Sequence, residues 1–106
     1  MADKELVYSV ESVKLSVIKT LPPSLAITAH GTARTPGYTD PELVEIIYIT
    51  PPADGIYDYD FVAVPPGGIV TQVLTPIDAS TERRPLPPEL KGVRVRSATN
   101  SVVAML

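Results

Sequence analysis

Hydrophobic and polar residues alternate with a period of two along several segments of the chain. The clearest case is the segment 55–64, where three aromatic residues fall on one side of an extended chain and two aspartates on the other: Tyr57, Tyr59, Phe61, Asp58 and Asp60. Only a β-strand has this periodicity. We therefore expect this strand to lie at the centre of the core, with Tyr59 and Phe61 among the most buried aromatic side chains.

Shorter alternating or apolar runs predict six further strands. We place them at residues 11–19, 24–33, 42–50, 69–75, 91–98 and 101–106. The run at 42–50 is almost continuously apolar, which is typical of a central strand. The inward positions complete the predicted core with Leu15, Val17, Leu25, Ile27, Ile47 and Val95. No segment has the helical period over ten or more residues, so helix content should be near zero.

The segments outside these strands contain turn residues and charges. Twelve prolines in 106 residues fall mainly between the predicted strands, because proline lacks the N–H that a central strand donates. Residues 76–90 combine prolines with charged side chains and are predicted to be a loop, and residues 1–10 a frayed arm. About seven short strands in a chain of this length favour an all-β fold, an antiparallel immunoglobulin-like β-sandwich. Residues 11–106 should form that single domain.

The stretch 53–59, ADGIYDY, resembles the Asp-Gly-x-Tyr opening of a strand in bacterial immunoglobulin-like β-sandwich domains. In those domains the glycine supplies the turn and the tyrosine begins an inward-facing row. The chain has neither cysteine nor tryptophan, so it lacks the Cys…Trp…Cys core of true immunoglobulin domains. The resemblance implies an architecture and no particular activity.

Composition and charge exclude several kinds of chemistry. Without cysteine, disulfides, thiol catalysis and thiolate metal sites are ruled out. The net charge of −3, with both signs dispersed, gives no basic footprint for nucleic acid or for anionic membranes. The first residues carry charges where a secretory signal is apolar. We expect a soluble cytoplasmic protein, or a secreted one if a leader has been removed, with an unidentified protein partner and no cofactor.

Candidate catalytic and metal-binding residues are few. His30 is the single histidine, it has no nucleophile-elbow motif near it, and it cannot hold zinc alone. We interpret it as a solvent-facing residue and predict that the protein is not an enzyme. Asp54, Asp58 and Asp60 form an acidic cluster whose oxygens would suit calcium. The alternative is a solvated outer face, with the last two aspartates paired to arginines of a neighbouring strand, Arg94 and Arg96.

Loop positions provide the main functional hypothesis, a non-catalytic binding or structural module. Successive loops between antiparallel strands alternate between two ends, so the loops 34–41 and 65–68 and the turn 99–100 should converge. Loops on a rigid scaffold often bind partners, and tyrosine and arginine are frequent anchors. The predicted binding residues at this end are Arg34, Tyr38, Gly67, Gly68 and Asn100.

A second hypothesis comes from similarity to the chagasin-type cysteine-peptidase inhibitors, immunoglobulin-like sandwiches with three contact loops at one end. Residues 35–38, TPGY, are like their first loop, and residues 66–68, PGG, like their second. Their third loop has an aromatic residue after Arg-Pro, where this chain has Leu86 after Arg84 and Pro85. Strand parity predicts that residues 76–90 begin at the opposite end from the first two loops. The resemblance implies peptidase inhibition.

Overall fold

The alternating segment around Phe61 forms the central strand of the larger of two β-sheets. The computed structural model describes residues 3–106. Sheet A contains β1 (Glu5–Leu6), β4 (Thr39–Glu45), β5 (Ile56–Val64), β7 (Gly92–Arg96) and β8 (Ser101–Met105). β4 runs along one side of β5, β1 and β7 follow one another along its other side, and β8 pairs with β7. β5 and β7 are parallel, and the other pairs are antiparallel.

Sheet B has three antiparallel strands with β3 in the middle. They are β2 (Ser9–Ile18), β3 (Ser24–Ala33) and β6 (Thr75–Arg83). No helix occurs in residues 3–106, and about 55% of the chain is strand. The prediction of an all-β fold with two facing sheets is confirmed.

The core lies between the inner faces of the two sheets. Phe61 from β5, Leu25 and Ile27 from β3, and Val93 and Val95 from β7 have essentially no exposed surface. The predicted burial of Tyr59 and Phe61 is confirmed, and Leu15 is half-buried against the same cluster. The predicted burial of Val17 and Ile47 is wrong, because Val17 lies near the end of the edge strand β2 and Ile47 lies in the loop after β4.

The sequence predicted a central strand at 42–50, and this prediction is wrong. β4 pairs with β5 alone and ends at Glu45. One further backbone hydrogen bond follows, from the Ile46 N–H to the Asp58 carbonyl. Ile47 is 79% exposed, and Ile49 lies in the loop that follows. The apolar character of this run therefore reflects an exposed loop rather than burial on two faces.

The strand predicted at 69–75 is wrong, and the loop predicted at 76–90 is wrong for residues 76–83 and confirmed for residues 84–90. Residues 65–74 form a connection, and β6 begins at Thr75 and pairs with β3 along its whole length. Its inward residues after Thr75 are Ile77, Ala79, Thr81 and Arg83. Because these side chains become small or polar along the strand, the apolar period is weak although the backbone pairing is complete.

The segment predicted to be a frayed arm contributes to the fold. Residues 5–6 pair with β5, β2 begins at Ser9, and Val7 and Val10 are buried. Met1 and Ala2 lie outside the described residues. The N-terminal segment thus adds a short strand to sheet A, on the same side of β5 as β7, before the chain continues into β2 of sheet B.

The strands run between two ends of the sandwich, and the loops gather there. We call one the Arg34 end, formed by residues 34–38, 65–74 and 97–100. The other is the Arg83 end, formed by residues 19–23, 46–55 and 84–91.

Candidate functional site

The three loops that the sequence predicts to converge do lie together, at the Arg34 end. A Cβ on Gly37 would lie 3.1 Å from Cβ of Pro66, which places the first two loops in contact. The turn before β8 reaches the same end through Tyr8, whose carbonyl accepts a hydrogen bond from the Thr99 N–H at 3.1 Å. The Arg34 guanidinium lies over the ring of that tyrosine, 5.7 Å from its centroid.

Two of the predicted binding residues at this end are engaged within the chain. The Tyr38 hydroxyl donates to Glu5 at 2.6 Å, and this hydrogen bond, followed by partial burial, raises the pKa of Tyr38. The Asn100 amide accepts from the Val10 N–H at 2.9 Å and donates to the Val10 carbonyl at 2.8 Å. Asn100 therefore holds the start of β8 against β2.

Gly67 and Gly68 differ from these residues because they are open to solvent. A Cβ at either position would have no atom within 4 Å. Gly68 has a φ of +76°, which explains the need for glycine there. These two residues expose backbone and contribute no side-chain chemistry.

The proposed calcium ligands are not brought together. Asp54 accepts a hydrogen bond from the Ile56 N–H at 3.0 Å, in the turn before β5. Asp58 and Asp60 pair with the neighbouring strand β7, accepting from Arg94 at 2.9 Å and from Arg96 at 2.8 Å. Across residues 3–106 there is no group of three or more His, Cys, Asp or Glu that suits a metal ion. Asp58 and Asp60 therefore lie on a face paired with arginines of β7, as the alternative interpretation expects, and this geometry gives calcium binding no support.

His30 lies on the outer face of β3. Its side chain is exposed, and Nδ1 is 2.6 Å from a carboxylate oxygen of Asp78 on the neighbouring β6. The interpretation of His30 as a solvent-facing residue is confirmed.

A pocket of about 240 Å³ opens at the Arg83 end. The Arg83 guanidinium lies over the ring of Tyr57, 4.9 Å from its centroid. Tyr48 meets that ring edge-on, with the two centroids 6.0 Å apart. The remaining lining combines apolar side chains with two carboxylates: Ile46, Ile47, Pro51, Pro87, Glu45 and Glu89.

The charged and phenolic groups of this pocket are matched to one another. Arg83 forms an ion pair with Glu45 and lies 3.5 Å from the Tyr59 hydroxyl. Burial lowers the pKa of Arg83, and the charge of Glu89 opposes that effect. Burial, and then a 2.5 Å hydrogen bond to Glu89, raise the pKa of Tyr57 to about 12, and the same bond lowers the pKa of Glu89. At neutral pH Tyr57 is therefore protonated and Glu89 ionised.

Tyr48 fixes the loop beside the pocket. Its hydroxyl donates to the Asp58 carboxylate at 2.5 Å and accepts from the Asp58 N–H at 3.3 Å. Burial, and then the bond to Asp58, raise the pKa of Tyr48. Tyr48 thus lies beside the first part of β5, with which β4 does not pair. Its neighbours Ile47 and Ile49 are exposed to solvent.

A second hollow of about 430 Å³ adjoins the pocket and shares Glu45, Arg83 and Pro87 with it. Its other lining residues belong to the end of β6 and the loop after it: Glu82, Arg84, Pro85, Leu86 and Pro88. The Leu86 N–H donates to the Pro23 carbonyl at 2.8 Å, which ties this loop to the turn containing the exposed Leu21. The Arg83 end therefore has two adjoining hollows with an exposed leucine side chain near them.

Sequence reasoning missed this end as a site for two reasons. The aromatic row predicts Tyr57 only as a core residue, which it is, and gives no sign that it also lines a pocket, and Arg83 is predicted to lie in a loop. The one available signal is that Arg83 continues the inward period of Ile77, Ala79 and Thr81, which places a cation at the border of the core.

The three loops compared with the chagasin-type inhibitors do not share one end. Residues 35–38 and 66–68 lie at the Arg34 end, and residues 84–86 at the Arg83 end. The prediction that residues 76–90 begin away from the first two loops is wrong, because Thr75 pairs with Ala33 at the Arg34 end. The three contact loops of an inhibitor of that type are therefore not assembled here.

Two general findings complete the description of the chain. No helix of residues 3–106 has the length and apolar character needed to cross a membrane. In comparisons with known proteins, no family model, no curated protein and no solved structure matches this chain.

Proposed function

We propose that the protein is a non-catalytic binding module that contacts a protein partner through the loops of the Arg83 end. The observation that carries this proposal is the combination, at one end, of a pocket lined by tyrosines and an arginine with exposed large aliphatic side chains. Exposed apolar surface beside a structured pocket is typical of interaction sites. Leu21, Ile47 and Ile49 supply that surface.

The loops at this end are held in place before any partner binds. The loop 46–55 is fixed by Tyr48 on β5, and the loop 84–91 by Glu89 on Tyr57. The Lys91 N–H donates to the Gly55 carbonyl at 2.8 Å, which joins the two loops. A pre-formed surface of this kind reduces the ordering cost of binding.

The chemistry of the pocket favours recognition over catalysis. Tyr57 holds its proton far above neutral pH, and Arg83 and Glu45 neutralise each other, so none of them is poised as a base or nucleophile. With Glu89 ionised as a second carboxylate, the pocket favours a neutral or basic side chain of the partner. An immunoglobulin-like arrangement of the two sheets is part of this proposal, since end loops commonly carry binding in such sandwiches.

A matched pair of isoleucines tests which end binds. Ile49 at the Arg83 end is 105% exposed and Ile69 at the Arg34 end is 103% exposed, so replacing either by serine should leave the fold intact. The immobilised wild-type chain is used to capture proteins from a lysate of the source cells, and the captured proteins are quantified by mass spectrometry. We expect Ile49→Ser to weaken capture of a specific partner about tenfold, the effect of ~1.4 kcal/mol. Ile69→Ser should not change it.

The Arg34 end is the second candidate location for the same function. The loop 65–74 there exposes Ile69, Val73 and Leu74 beside the two open glycines. If Ile69→Ser and Tyr38→Ala abolish capture and Ile49→Ser does not, the binding surface lies at this end. Capture that is unaffected by all three substitutions contradicts binding by end loops.

A further inference from the structure

The charges that line the two hollows of the Arg83 end do not balance. Arg83 forms an ion pair with Glu45, and Arg84 forms one with Glu82 at 3.2 Å. Within residues 3–106, no lysine or arginine forms an ion pair with Glu89. The two hollows together are thus lined by three carboxylates and two guanidinium groups, which leaves one negative charge, at Glu89, without a paired cation.

The tyrosine hydroxyls of the pocket donate their protons to groups of the chain itself. Tyr57 donates to Oε1 of Glu89 at 2.5 Å, and Tyr48 donates to Asp58 at 2.5 Å. Because a phenol has a single O–H, neither tyrosine keeps a donor for a ligand. Oε2 of Glu89 has no hydrogen-bond partner among residues 3–106, and an ionised carboxylate only accepts. At Glu89 the pocket therefore offers an acceptor and requires a donor from its ligand.

Arg83 does not reverse this preference. Its guanidinium is paired with Glu45, lies 3.5 Å from the Tyr59 hydroxyl and covers the ring of Tyr57, 4.9 Å from the centroid. An incoming anion would have to compete with Glu45 and would lie in the same pocket as Glu89. An incoming cation meets a carboxylate that no cation yet neutralises.

The rest of the lining suits the aliphatic part of a lysine. The pocket holds about 240 Å³, and its apolar lining comes from two isoleucines and two prolines: Ile46, Ile47, Pro51 and Pro87. Lysine places its methylene groups along apolar surface and its ammonium at a polar end. Arginine pairs best when its planar fork donates to both oxygens of a carboxylate, and Tyr57 already occupies one oxygen of Glu89. The ammonium of lysine is a point charge and needs only the other oxygen.

We propose that this pocket receives a lysine side chain of the partner, with the ammonium on Oε2 of Glu89 and the methylene groups against the apolar lining. This inference rests on the proposed function, because it names the residue that the partner presents to the Arg83 end. Ile47 lines the pocket, and Ile49 follows in the same loop with its side chain exposed. Apolar residues should therefore flank the lysine in the partner.

A displayed library of random peptides, selected on the immobilised full chain, tests the lysine directly. Selection on the wild type should enrich lysine at one position, with apolar residues beside it. Glu89→Gln keeps an oxygen that can accept from Tyr57 but removes the charge, and it should abolish the enrichment of lysine. Glu42→Gln is the matched control, because it removes the same charge from a side chain that is 50% exposed and lies outside both hollows. That control should enrich lysine as the wild type does.

Titration of a selected peptide gives a second readout that leaves the protein unchanged. Replacing its lysine by norleucine, which keeps the aliphatic chain and removes the ammonium, should weaken binding to the wild type about tenfold or more. The same replacement should have little effect on binding to Glu89→Gln. If Glu89→Gln does not fold, the norleucine peptide on the wild type decides the question. Equal affinities of the two peptides for the wild type overturn the inference.

The selection and the lysate capture fail in different ways. Enrichment on the wild type of arginine, of acidic residues or of no residue overturns the lysine assignment, and so does enrichment of lysine that persists on Glu89→Gln. If Ile49→Ser weakens capture while lysine is not enriched, the Arg83 end binds its partner through other contacts and only this inference falls. If lysine is enriched but neither Ile49→Ser nor Glu89→Gln changes capture, the preference of the pocket stands and the proposed function falls.

Discussion

Truncation of Phe61 is the most direct test of the core that β5 organises. Phe61 has no exposed surface, and its Cε2 would lie 3.1 Å from a Cβ placed on Gly31 of sheet B. That Cβ would also overlap the Ser9 carbonyl oxygen. Because the ring packs against the backbone of Gly31, which has no side chain and is held by β2, this part of sheet B offers little to fill the space that Phe61→Ala leaves. We therefore expect a loss in the upper part of the ~3–5 kcal/mol range for a truncated core aromatic.

Urea unfolding followed by circular dichroism measures this loss. A domain of this size has a total stability of about 5–15 kcal/mol, so Phe61→Ala should remove a large share of it and lower the melting temperature by more than ~10 °C. Ile49→Ala is the control, since a fully exposed side chain should change the free energy of unfolding by less than ~0.5 kcal/mol. A Phe61→Ala variant that melts within a degree or two of the wild type would refute the buried aromatic row.

Two further predictions concern close packing and pH. Gly31→Ala should lower the free energy of unfolding by about 1–3 kcal/mol or more, because the new methyl group overlaps the Ser9 carbonyl. Gly67→Ala has open space around it and should stabilise the protein by up to ~1 kcal/mol. Equal urea midpoints for the two variants would contradict this packing. The pKa of Tyr57 and that of Tyr59 are both raised from 10.0 to about 12, so the folded state retains protons that the unfolded state releases. Stability should therefore be complete below pH 10 and decrease as the pH approaches 12, and Tyr57→Phe should reduce that decrease. Urea midpoints at pH 9 and pH 11 measure it, and a wild-type midpoint independent of pH in this interval would exclude the raised values.

The parts of the fold that the sequence predicts correctly are those where one face of a strand is buried and the other is wet. In β3 and β5 the apolar residues recur at every second position, so both the strand and its inward side follow from the pattern. The convergence of loops 34–41 and 65–68 with the turn 99–100 also follows. The predicted strand at 69–75 was wrong, but β6 replaces it and runs in the same direction, so the alternation of ends is preserved.

The errors arise where burial and strand formation are separated. Residues 42–50 are apolar yet lie at an edge and in a loop, and β6 is a complete strand with few large apolar side chains. Local sequence carries no information about a partner strand distant in the chain, and β6 exists because β3 supplies its hydrogen bonds. The Arg83 pocket depends on the same long-range pairing, which brings the end of β6 beside the start of β5.

The parallel pairing of β5 with β7 has a consequence for the order in which the chain folds. Two parallel neighbours cannot be joined by a tight turn, and here β6 crosses to the other sheet between them. During synthesis, β5 can pair with β4 and β1 at once, but residues 56–60 on its opposite side stay open until β6 and β7 have both left the ribosome. Pairing of this non-local kind slows folding, because a long loop must close before any contact forms. The hairpins β2–β3 and β7–β8 can form locally, and docking of β7 on β5 is the step we expect to complete the larger sheet.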